Sequence, residues 1–270
     1  MTNSLVTTTR DDRGVVTITL NRPEARNALS PELVAELKSA FTSIDSQAGT
    51  RVVVLAAAGS AFSAGGDIAA MEQMATFSYE ENLADSRSFD EMYRIVDECP
   101  CPVIARVNGA AMGGGAGLVA CADIAVAVES ASFALSEVRV GIIPAVVGTY
   151  VTAKIGVGWA RRLLLTGERF DAATARTIGL VHEVTTADAL DATVDAMVGN
   201  VLAGRPGAQR MIKAHLARAF GEQAFGRDEI RALAIESATT ARMSEEGRRG
   251  LGEFLHRPRD AKPTKDGQQR

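Results

Sequence analysis

Cysteine, histidine and tryptophan are scarce in this chain of 270 residues, which has three cysteines, three histidines and one tryptophan. Cys99, Cys101 and Cys121 are too few for a disulfide framework, and no second Cys/His pair follows Cys99 and Cys101 to complete a metal site. We interpret them as reduced thiols of an intracellular protein. The composition thus excludes a disulfide-stabilised secreted domain, and no bound metal is predicted.

The sequence also lacks a long apolar run and an excess of basic residues. No stretch approaches the roughly 20 apolar residues of a membrane-spanning helix, and the polar N-terminus MTNSLVTTTRDDRG lacks the apolar core of a signal peptide. Lysine and arginine number 29 against 33 aspartates and glutamates, which gives a net charge of −4. These absences exclude a membrane or nucleic acid as the expected partner and predict a cytoplasmic protein.

Apolar residues, by contrast, make up 46 % of the chain, enough for the core of one large domain. A β-hairpin is predicted at residues 5–20. The pattern strand, glycine loop and helix then occurs twice, at residues 52–74 and 103–122, which predicts an α/β protein with both loops at one sheet edge. Residues 211–255 are predicted to be helical throughout and to pack on the core or on a partner subunit.

The two glycine loops suggest a shared chemical role. Residues 59–66 read G-S-A-F-S-A-G-G, and residues 113–115 are three successive glycines. A helix that begins at such a loop presents N–H groups without intrahelical partners. If the loops converge, the N–H groups of Gly66 and Gly114 form an oxyanion hole, a pair of fixed donors for an oxygen that becomes negative during reaction. Each loop taken alone is better interpreted as a plain tight turn, and it is the pair with a carboxylate downstream that favours the chemical role.

Glu137 is the carboxylate that could serve this oxyanion hole. It stands among Leu135, Val138, Val140 and Ile142, and such neighbours disfavour the charged form and bring the pKa toward neutrality. An acid–base group of that kind suits enolate chemistry at a thioester, where a proton moves to or from a carbon atom. The competing interpretation is an ordinary carboxylate on the surface of a helix.

Several stretches resemble, in order, the motifs of the enoyl-CoA hydratase/isomerase (crotonase) superfamily. The core motifs correspond to A-F-S-A-G-G-D-I at residues 61–68, the glycine stretch at 108–123 and S-E-V-R-V-G-I-I-P at 136–144. Flanking matches are I-T-L-N-R-P-E-A-R-N-A-L at 18–29, L-T-G-E-R-F-D-A at 165–172, G-L-V-H-E-V at 179–184 and E-G-R-R-G-L-G-E-F-L at 246–255. The resemblance spans about residues 5–258.

The resemblance implies a crotonase-like α/β spiral of ββα units in residues 1–200, a helical region in 201–257 that builds homotrimers or homohexamers, and a disordered tail in 258–270. It implies an acyl-CoA substrate, with coenzyme A as part of the substrate and no separate cofactor. The thioester oxygen would lie between the N–H groups of Gly66 and Gly114. The implied substrate contacts are Arg26, Ala28, Ala64, Gly65, Asp67, Ile68 and Met112.

One position departs from the family pattern. Many hydratases of this family hold water between two glutamates, one of which aligns with Glu137, whereas the other would fall at Gly117. The sequence is most similar to bacterial hydratases of the methylglutaconyl-CoA type, which favours addition of water to a 2-enoyl-CoA. A Δ3-Δ2 enoyl-CoA isomerase that uses Glu137 as its single base stays open, as does a member that binds acyl-CoA without turnover.

Other residues are given structural interpretations. The three histidines are scattered and none is expected to be catalytic, and Ser63 lies outside the G-x-S-x-G elbow of serine hydrolases. The glycines after position 112 do not fit the G-x-G-x-x-G spacing of dinucleotide-binding folds. Lys213 is interpreted as an exposed helix lysine, with a contact to a CoA phosphate as the alternative.

Overall fold

The computed structural model describes residues 4–46, 49–74, 76–221 and 227–256. The strands are β1 (Val6–Arg10), β2 (Val15–Leu20), β3 (Val52–Ala57), β4 (Ala61–Ser63), β5 (Val103–Val107), β6 (Ala110–Met112), β7 (Ile124–Val128), β8 (Ser132–Ala134), β9 (Phe170–Asp171) and β10 (Glu183–Thr185). The helices are α1 (Pro31–Ser46), α2 (Ile68–Met74), α3 (Tyr79–Asp97), α4 (Gly114–Cys121), α5 (Ala145–Thr166), α6 (Ala172–Thr177), α7 (Leu190–Ala203), α8 (Pro206–Gly221), α9 (Arg227–Met243) and α10 (Glu245–Leu255). Two 3₁₀ turns occupy Pro23–Ala25 and Glu137–Val140.

The main sheet has the strand order β1-β2-β3-β5-β7-β10. Its first pair, β1 and β2, is the predicted antiparallel hairpin. The Asp11 carboxylate closes the hairpin turn, since its Oδ1 accepts hydrogen bonds from the N–H groups of Arg13 at 3.0 Å and Val15 at 2.9 Å. All later pairs in this sheet are parallel. Every residue of β3 is buried, in keeping with a continuous apolar run in a parallel sheet covered on both faces.

A second, smaller sheet has the order β4-β6-β8-β9. The chain alternates between the two sheets, because β3, β5 and β7 belong to the large sheet and β4, β6 and β8 follow them in the small one. Helices α2, α4 and α5 continue the chain after these three strand pairs. This is the repeated ββα unit that the family resemblance implied, and the predicted α/β spiral is confirmed.

The small sheet itself was not predicted. The segment 59–66 was expected to be a loop, yet it contains β4, and β6 and β8 were missed as well. Each of these strands has three residues, mostly alanine and serine, and such short segments carry no alternating pattern of polar and apolar residues. Their conformation is decided by parallel pairing with strands that are distant in sequence, such as Ala61 with Ala110.

Two elements after the third strand pair have irregular limits. Helix α5 is one long element in which Gly156 interrupts the helix with a φ of 76°. The last strand, β10, covers only Glu183–Thr185. Leu180 and Val181 precede the strand and are buried, so these apolar side chains belong to the core.

The C-terminal helices pack against α3 and α5. Arg231 on α9 forms an ion pair with the buried carboxylate of Asp90 on α3, and Arg242 donates to Asp85 at 2.7 Å. The run predicted to be continuous is divided at Ser244, whose hydroxyl accepts from the Gly247 N–H at 3.0 Å and begins α10. Residues 222–226 of that run, and the predicted tail 258–270, lie outside the described residues.

The remaining predictions about domains concern boundaries. The predicted limit between residues 200 and 201 falls inside α7. The division into a spiral core and an oligomerisation region therefore stays a prediction.

No helix in the described ranges is both long enough and apolar enough to cross a bilayer.

Helix α10 lies directly on the 3₁₀ turn Glu137–Val140. A Cβ atom placed on Gly250 would lie 2.3 Å from the carbonyl oxygen of Val140, and one placed on Gly141 would lie 2.6 Å from that of Glu246. Glycine at both positions thus allows backbone-to-backbone contact between the helix and the turn. The turn that carries Glu137 is therefore held by the last described helix of the chain.

We expect Gly250→Ala to lower the free energy of unfolding by about 1–3 kcal/mol, because the added methyl group overlaps with the Val140 carbonyl. Gly252→Ala, in the same helix, is the matched control, since its Cβ would meet no atom within 4 Å. The control should stabilise the protein by about 0.5–1 kcal/mol through helix propensity. Urea denaturation of both variants measures the difference, and equal effects would contradict the packing of α10 on the turn.

Candidate active site

The first glycine loop is braced by the segment 26–29 through a short ladder of backbone hydrogen bonds. Ala64 N–H donates to Arg26 O at 2.9 Å and Leu29 N–H donates to Gly65 O at 2.7 Å. Asp67 N–H donates back to Leu29 O at 3.4 Å. Leu29 and Gly66 thus face each other in a parallel bridge, in which Gly66's own N–H points away from Leu29. Gly66 as a whole is exposed.

The segment 26–29 has an unusual backbone that one buried side chain maintains. Arg26 and Asn27 have φ values of 51° and 54°, in the left-handed region where asparagine is tolerated and arginine is uncommon. The Asn27 amide donates to Ala58 O at 2.8 Å and Ala61 O at 3.0 Å, and its oxygen accepts from the Arg22 N–H at 2.9 Å. The sequence interpretation missed Asn27, although an asparagine shortly after a strand and a proline was a usable signal for a left-handed turn.

Ser63 also stabilises this loop. Its hydroxyl donates to Asn27 O at 2.8 Å and accepts from the Gly65 N–H at 3.2 Å, and the side chain is fully buried. A serine nucleophile needs a neighbouring base and access to substrate. Ser63 instead links the segment 26–29 to the first glycine loop.

The second glycine loop contacts the first. Gly113 has a φ of 47° and donates its N–H to Ala134 O at 2.8 Å, at the end of β8. Gly114 begins α4, and its N–H has no intrahelical acceptor at this position of a helix. A Cβ atom on Gly65 would lie 2.8 Å from Met112 O, and one on Gly113 would lie 4.0 Å from the Gly65 Cα. The two loops meet, as the sequence predicted.

Glu137 lies at this meeting point. A Cβ atom on Gly113 would lie 2.9 Å from its Oε1, so the carboxylate stands directly over the second loop. Its Oε2 is buried and has no hydrogen-bond partner among the described residues. Burial raises the pKa of Glu137 to about 7, while its own N–H and the charge of Arg242 act in the opposite direction. The surface-helix interpretation of this residue is therefore wrong: it is a buried carboxyl poised to exchange a proton near neutral pH.

Arg242 is the cation that influences Glu137, and the sequence interpretation missed it. It lies on α9, where it donates to Asp85 Oδ2 at 2.7 Å and to Ser86 Oγ at 3.4 Å. Burial is the largest cause of the raised pKa of Glu137, and the charge of Arg242 acts against it. The residue is 105 positions away in sequence (242 − 137), so nothing local could have indicated the pairing.

Gly117, where many family hydratases have a glutamate, has no space for a side chain. A Cβ atom there would lie 2.4 Å from Val147 Cγ2 and 2.8 Å from Tyr93 Cε1. Tyr93 is 1 % exposed and belongs to the core, so neither neighbour can withdraw easily. Val147 and Tyr93 thus fill the space beside Gly117, and the Glu137 carboxylate stands over the second glycine loop.

The predicted substrate contacts are brought together around the two loops. They comprise exposed Arg26, Ala64 and Ile68, half-buried Met112, and buried Ala28, Gly65 and Asp67. Asp67 has a structural role of its own: its carboxylate accepts from Arg22 at 2.5 Å and from the Ala70 N–H at 3.1 Å, at the start of α2. Contact of these residues with acyl-CoA stays a prediction.

The other polar residues singled out in the sequence lie elsewhere. His182 Nδ1 accepts from the Ala125 N–H at 3.0 Å, beside β7. Lys213 is not an exposed lysine, since its ammonium group donates to Asp123 Oδ2 at 2.5 Å and its side chain is 16 % exposed. This ion pair joins α8 to the segment that follows α4. It is a long-range contact that helix periodicity does not reveal.

Comparison with known proteins gives this site its context. The sequence model of the family described as enoyl-CoA hydratase/isomerase matches residues 10–259. The chain belongs to this family. The crystal structure of an enoyl-CoA hydratase from Mycobacterium avium is similar to this chain with a TM-score of 0.82 and 35 % identity, over 94 % of this chain and 96 % of that one. The protein is thus an enzyme of the enoyl-CoA hydratase family with the fold of its solved members.

Curated relatives show similar levels of identity but different reactions. A crotonyl-CoA hydratase of Syntrophomonas wolfei is 32 % identical over 220 residues, 81 % of this chain and 82 % of the relative. An indene-carboxyl-CoA hydrolase of Mycobacterium tuberculosis is 38 % identical over 186 residues, 69 % of this chain and 73 % of the relative. Identity alone therefore does not distinguish reactions within the family, and no relative here singles out the methylglutaconyl-CoA type.

The raised pKa of Glu137 predicts a pH-dependent stability. Its pKa is about 7 in the folded protein against an ordinary 4.5, so the folded state binds this proton more tightly than the unfolded chain. Wild-type stability relative to Glu137→Gln should fall as pH rises from about 4.5 to about 7, by at most the order of 3 kcal/mol. Urea denaturation of both proteins across this range measures the difference. A difference that is constant with pH would contradict the burial of the carboxyl group.

Proposed function

We propose that the protein adds water across the double bond of a 2-enoyl-CoA through an enolate, with Glu137 as its acid–base group. The observation that carries the proposal is the position of the Glu137 carboxylate over the contact between the two glycine loops. The partly accessible backbone of Gly66 and Gly114 supports an oxyanion hole there. Family membership supports a CoA thioester as the substrate.

In the proposed mechanism the thioester oxygen accepts hydrogen bonds from the Gly66 and Gly114 N–H groups. Ionised Glu137 takes a proton from water as the water oxygen bonds to C3, and the electron pair of the double bond moves toward the thioester oxygen. The resulting enolate is stabilised by both donors. Glu137 then returns the proton to C2, which yields the 3-hydroxyacyl-CoA and restores the carboxylate.

One carboxylate suffices for this cycle because the same group accepts and returns the proton. Its pKa near neutrality balances the two tasks, since a stronger acid would be a poor base and a weaker acid a poor donor. We assign the exposed Arg26 to the phosphate groups of CoA and place Ala64, Ile68 and Met112 along the pantetheine and acyl groups. Coenzyme A enters as part of the substrate.

The alternative function is a Δ3-Δ2 enoyl-CoA isomerase. Gly117 favours it, because the site has no space for a second carboxylate to hold water, whereas proton transfer between two carbon atoms needs a single base. Within the hydratase proposal, a branched substrate of the methylglutaconyl-CoA type remains our preferred acyl group on the motif resemblance. A member that binds acyl-CoA without turnover is the third outcome.

We also propose that the protein assembles as a homotrimer or homohexamer through its C-terminal helices. Large apolar side chains are exposed on α8 and α9, namely Met211, Ile212, Leu216 and Leu233. Clustered apolar side chains on a helical surface are typical of subunit contacts. These exposed side chains lie within residues 201–257, the region to which the family resemblance assigns oligomerisation.

Assays with two substrates and two matched variants test the reaction. Crotonyl-CoA should lose the absorbance of its conjugated thioester with the wild-type protein, and Glu137→Gln should lower kcat by about 10²- to 10⁴-fold. Glu129→Gln, an exposed glutamate after β7, should leave kcat within about twofold as the control. A gain of absorbance from a 3-enoyl-CoA, without hydration of any 2-enoyl-CoA, would establish the isomerase instead. Binding without either change would leave the non-catalytic outcome.

The pH profile tests Glu137 as the base. Because its pKa is about 7 and the ionised form must accept the first proton, kcat/KM should rise tenfold per pH unit below about 7 and level off above it. Initial rates with crotonyl-CoA from about pH 5 to about pH 9 measure this profile. A rate that does not change across this range would exclude Glu137 as the titrating group.

A further inference from the structure

Tyr93 occupies the volume into which a side chain at position 117 would extend. It lies on α3 and is 1 % exposed. A Cβ atom on Gly117 would lie 2.8 Å from Cε1 and 3.0 Å from Cζ of its ring. The Tyr93 ring therefore occupies the space that the side chain of a glutamate at position 117 would enter. It packs directly against the first turn of α4.

The Tyr93 hydroxyl contacts the residue that is proposed to supply an oxyanion donor. It donates a hydrogen bond to the carbonyl oxygen of Gly114 at 3.2 Å. A Cβ atom on Gly114 would lie only 2.8 Å from the hydroxyl oxygen, so the phenol and the glycine backbone are in close contact. Burial raises the pKa of Tyr93 well above its ordinary value, with a smaller contribution from Glu137, so the hydroxyl stays a donor.

The first turn of α4 needs such support because its own residues define its conformation weakly. Positions 113, 114, 115 and 117 are glycine and only position 116, alanine, is not. Each glycine in a helix costs about 1 kcal/mol relative to alanine, because the unfolded backbone has more freedom to lose. On one side Gly113 is anchored by its bond to Ala134 O. On the other side, the carbonyl of Gly114 is anchored by Tyr93.

We propose that Tyr93 is a positioning residue for the oxyanion hole: its hydroxyl fixes the Gly114 backbone so that the Gly114 N–H points at the thioester oxygen. The assignment rests on the proposed acyl-CoA function and deepens it. Glycine at position 117 leaves room for the Tyr93 ring. This side chain of α3 can therefore pack against the glycine loop from the side of the core. Tyr93 acts through Gly114 and transfers no proton.

Tyr150 supplies the matched control. Its ring lies next to that of Tyr93, with 5.3 Å between the centroids. Its hydroxyl, however, bonds to Asp90, at 3.1 Å from Oδ1 and 3.3 Å from the carbonyl oxygen, and not to the glycine helix. Tyr93→Phe and Tyr150→Phe each delete one hydroxyl from the same aromatic pair, while only the first deletion removes the anchor of Gly114.

Kinetics of the full-length variants with crotonyl-CoA, well below their thermal midpoints, test the proposal. We expect Tyr93→Phe to lower kcat about tenfold or more and to change KM less than about threefold, since a misaligned donor weakens the transition state more than substrate binding. Tyr150→Phe should stay within about twofold of wild type. A purely structural role would lower the thermal midpoint of Tyr93→Phe and leave kcat unchanged, which would overturn the assignment. Equal losses of kcat in both variants would overturn it too.

A second readout separates this assignment from the proposed reaction. A 3-oxoacyl-CoA such as acetoacetyl-CoA absorbs in the near ultraviolet as its enolate, and an oxyanion hole favours that form on binding. At saturating protein, Tyr93→Phe should reduce this enolate signal several-fold relative to wild type and Tyr150→Phe. If wild type forms the enolate but hydrates no enoyl-CoA, the hydratase proposal fails while this test of Tyr93 stands. An enolate signal that is equal in all three proteins would refute the role of Tyr93.

Discussion

The contact between the two glycine loops is the constraint on which the site depends. Gly65 and Gly113 approach so closely that a side chain on either would enter the backbone or the carboxylate opposite. Both adopt positive φ values, 88° and 47°, which a residue with a Cβ atom seldom reaches. This approach brings the two glycine loops together beside Glu137. The convergence of the Gly66 and Gly114 N–H groups on one oxygen stays a prediction.

The surrounding structure holds this contact from several directions. Asn27 maintains the left-handed segment that braces the first loop, and the Gly113 N–H ties the second loop to β8. Helix α10 packs against the turn that carries Glu137, with backbone contacts at Gly141 and Gly250. The elements that hold the loops thus come from both ends of the chain. Among the described residues no cation forms an ion pair with the Glu137 carboxylate, and burial raises its pKa.

The absence of a glutamate at position 117 is a packing difference as well as a chemical one. Val147 and Tyr93 close the space that a longer side chain would need, so this packing requires glycine at the position. A single carboxylate must then accept and return the proton, which is chemically sufficient for hydration and for isomerisation alike. The two reactions differ in whether water is present at C3, and this depends on how the acyl group fills the site.

Much of the fold could be predicted from local patterns. The hairpin, the strands of the large sheet, α2, α3 and the glycine helix α4 all carry apolar periodicity or capping residues within a few positions. The glycine loops and Glu137 could be predicted for the same reason, because their chemistry resides in short contiguous motifs. The small sheet could not, because strands of only three residues are defined by partners distant in sequence, as Ala61 is by Ala110.

The sequence by itself determined the family and, through that resemblance, the expected ββα spiral and the residues proposed for the chemistry. Only the tertiary structure decided that Tyr93 and Val147 fill the space beside Gly117, that Arg242 acts on Glu137, and that α10 supports the turn of Glu137. These contacts join residues far apart in the chain. Packing between distant segments is set by the whole core, and no local pattern of residues records it.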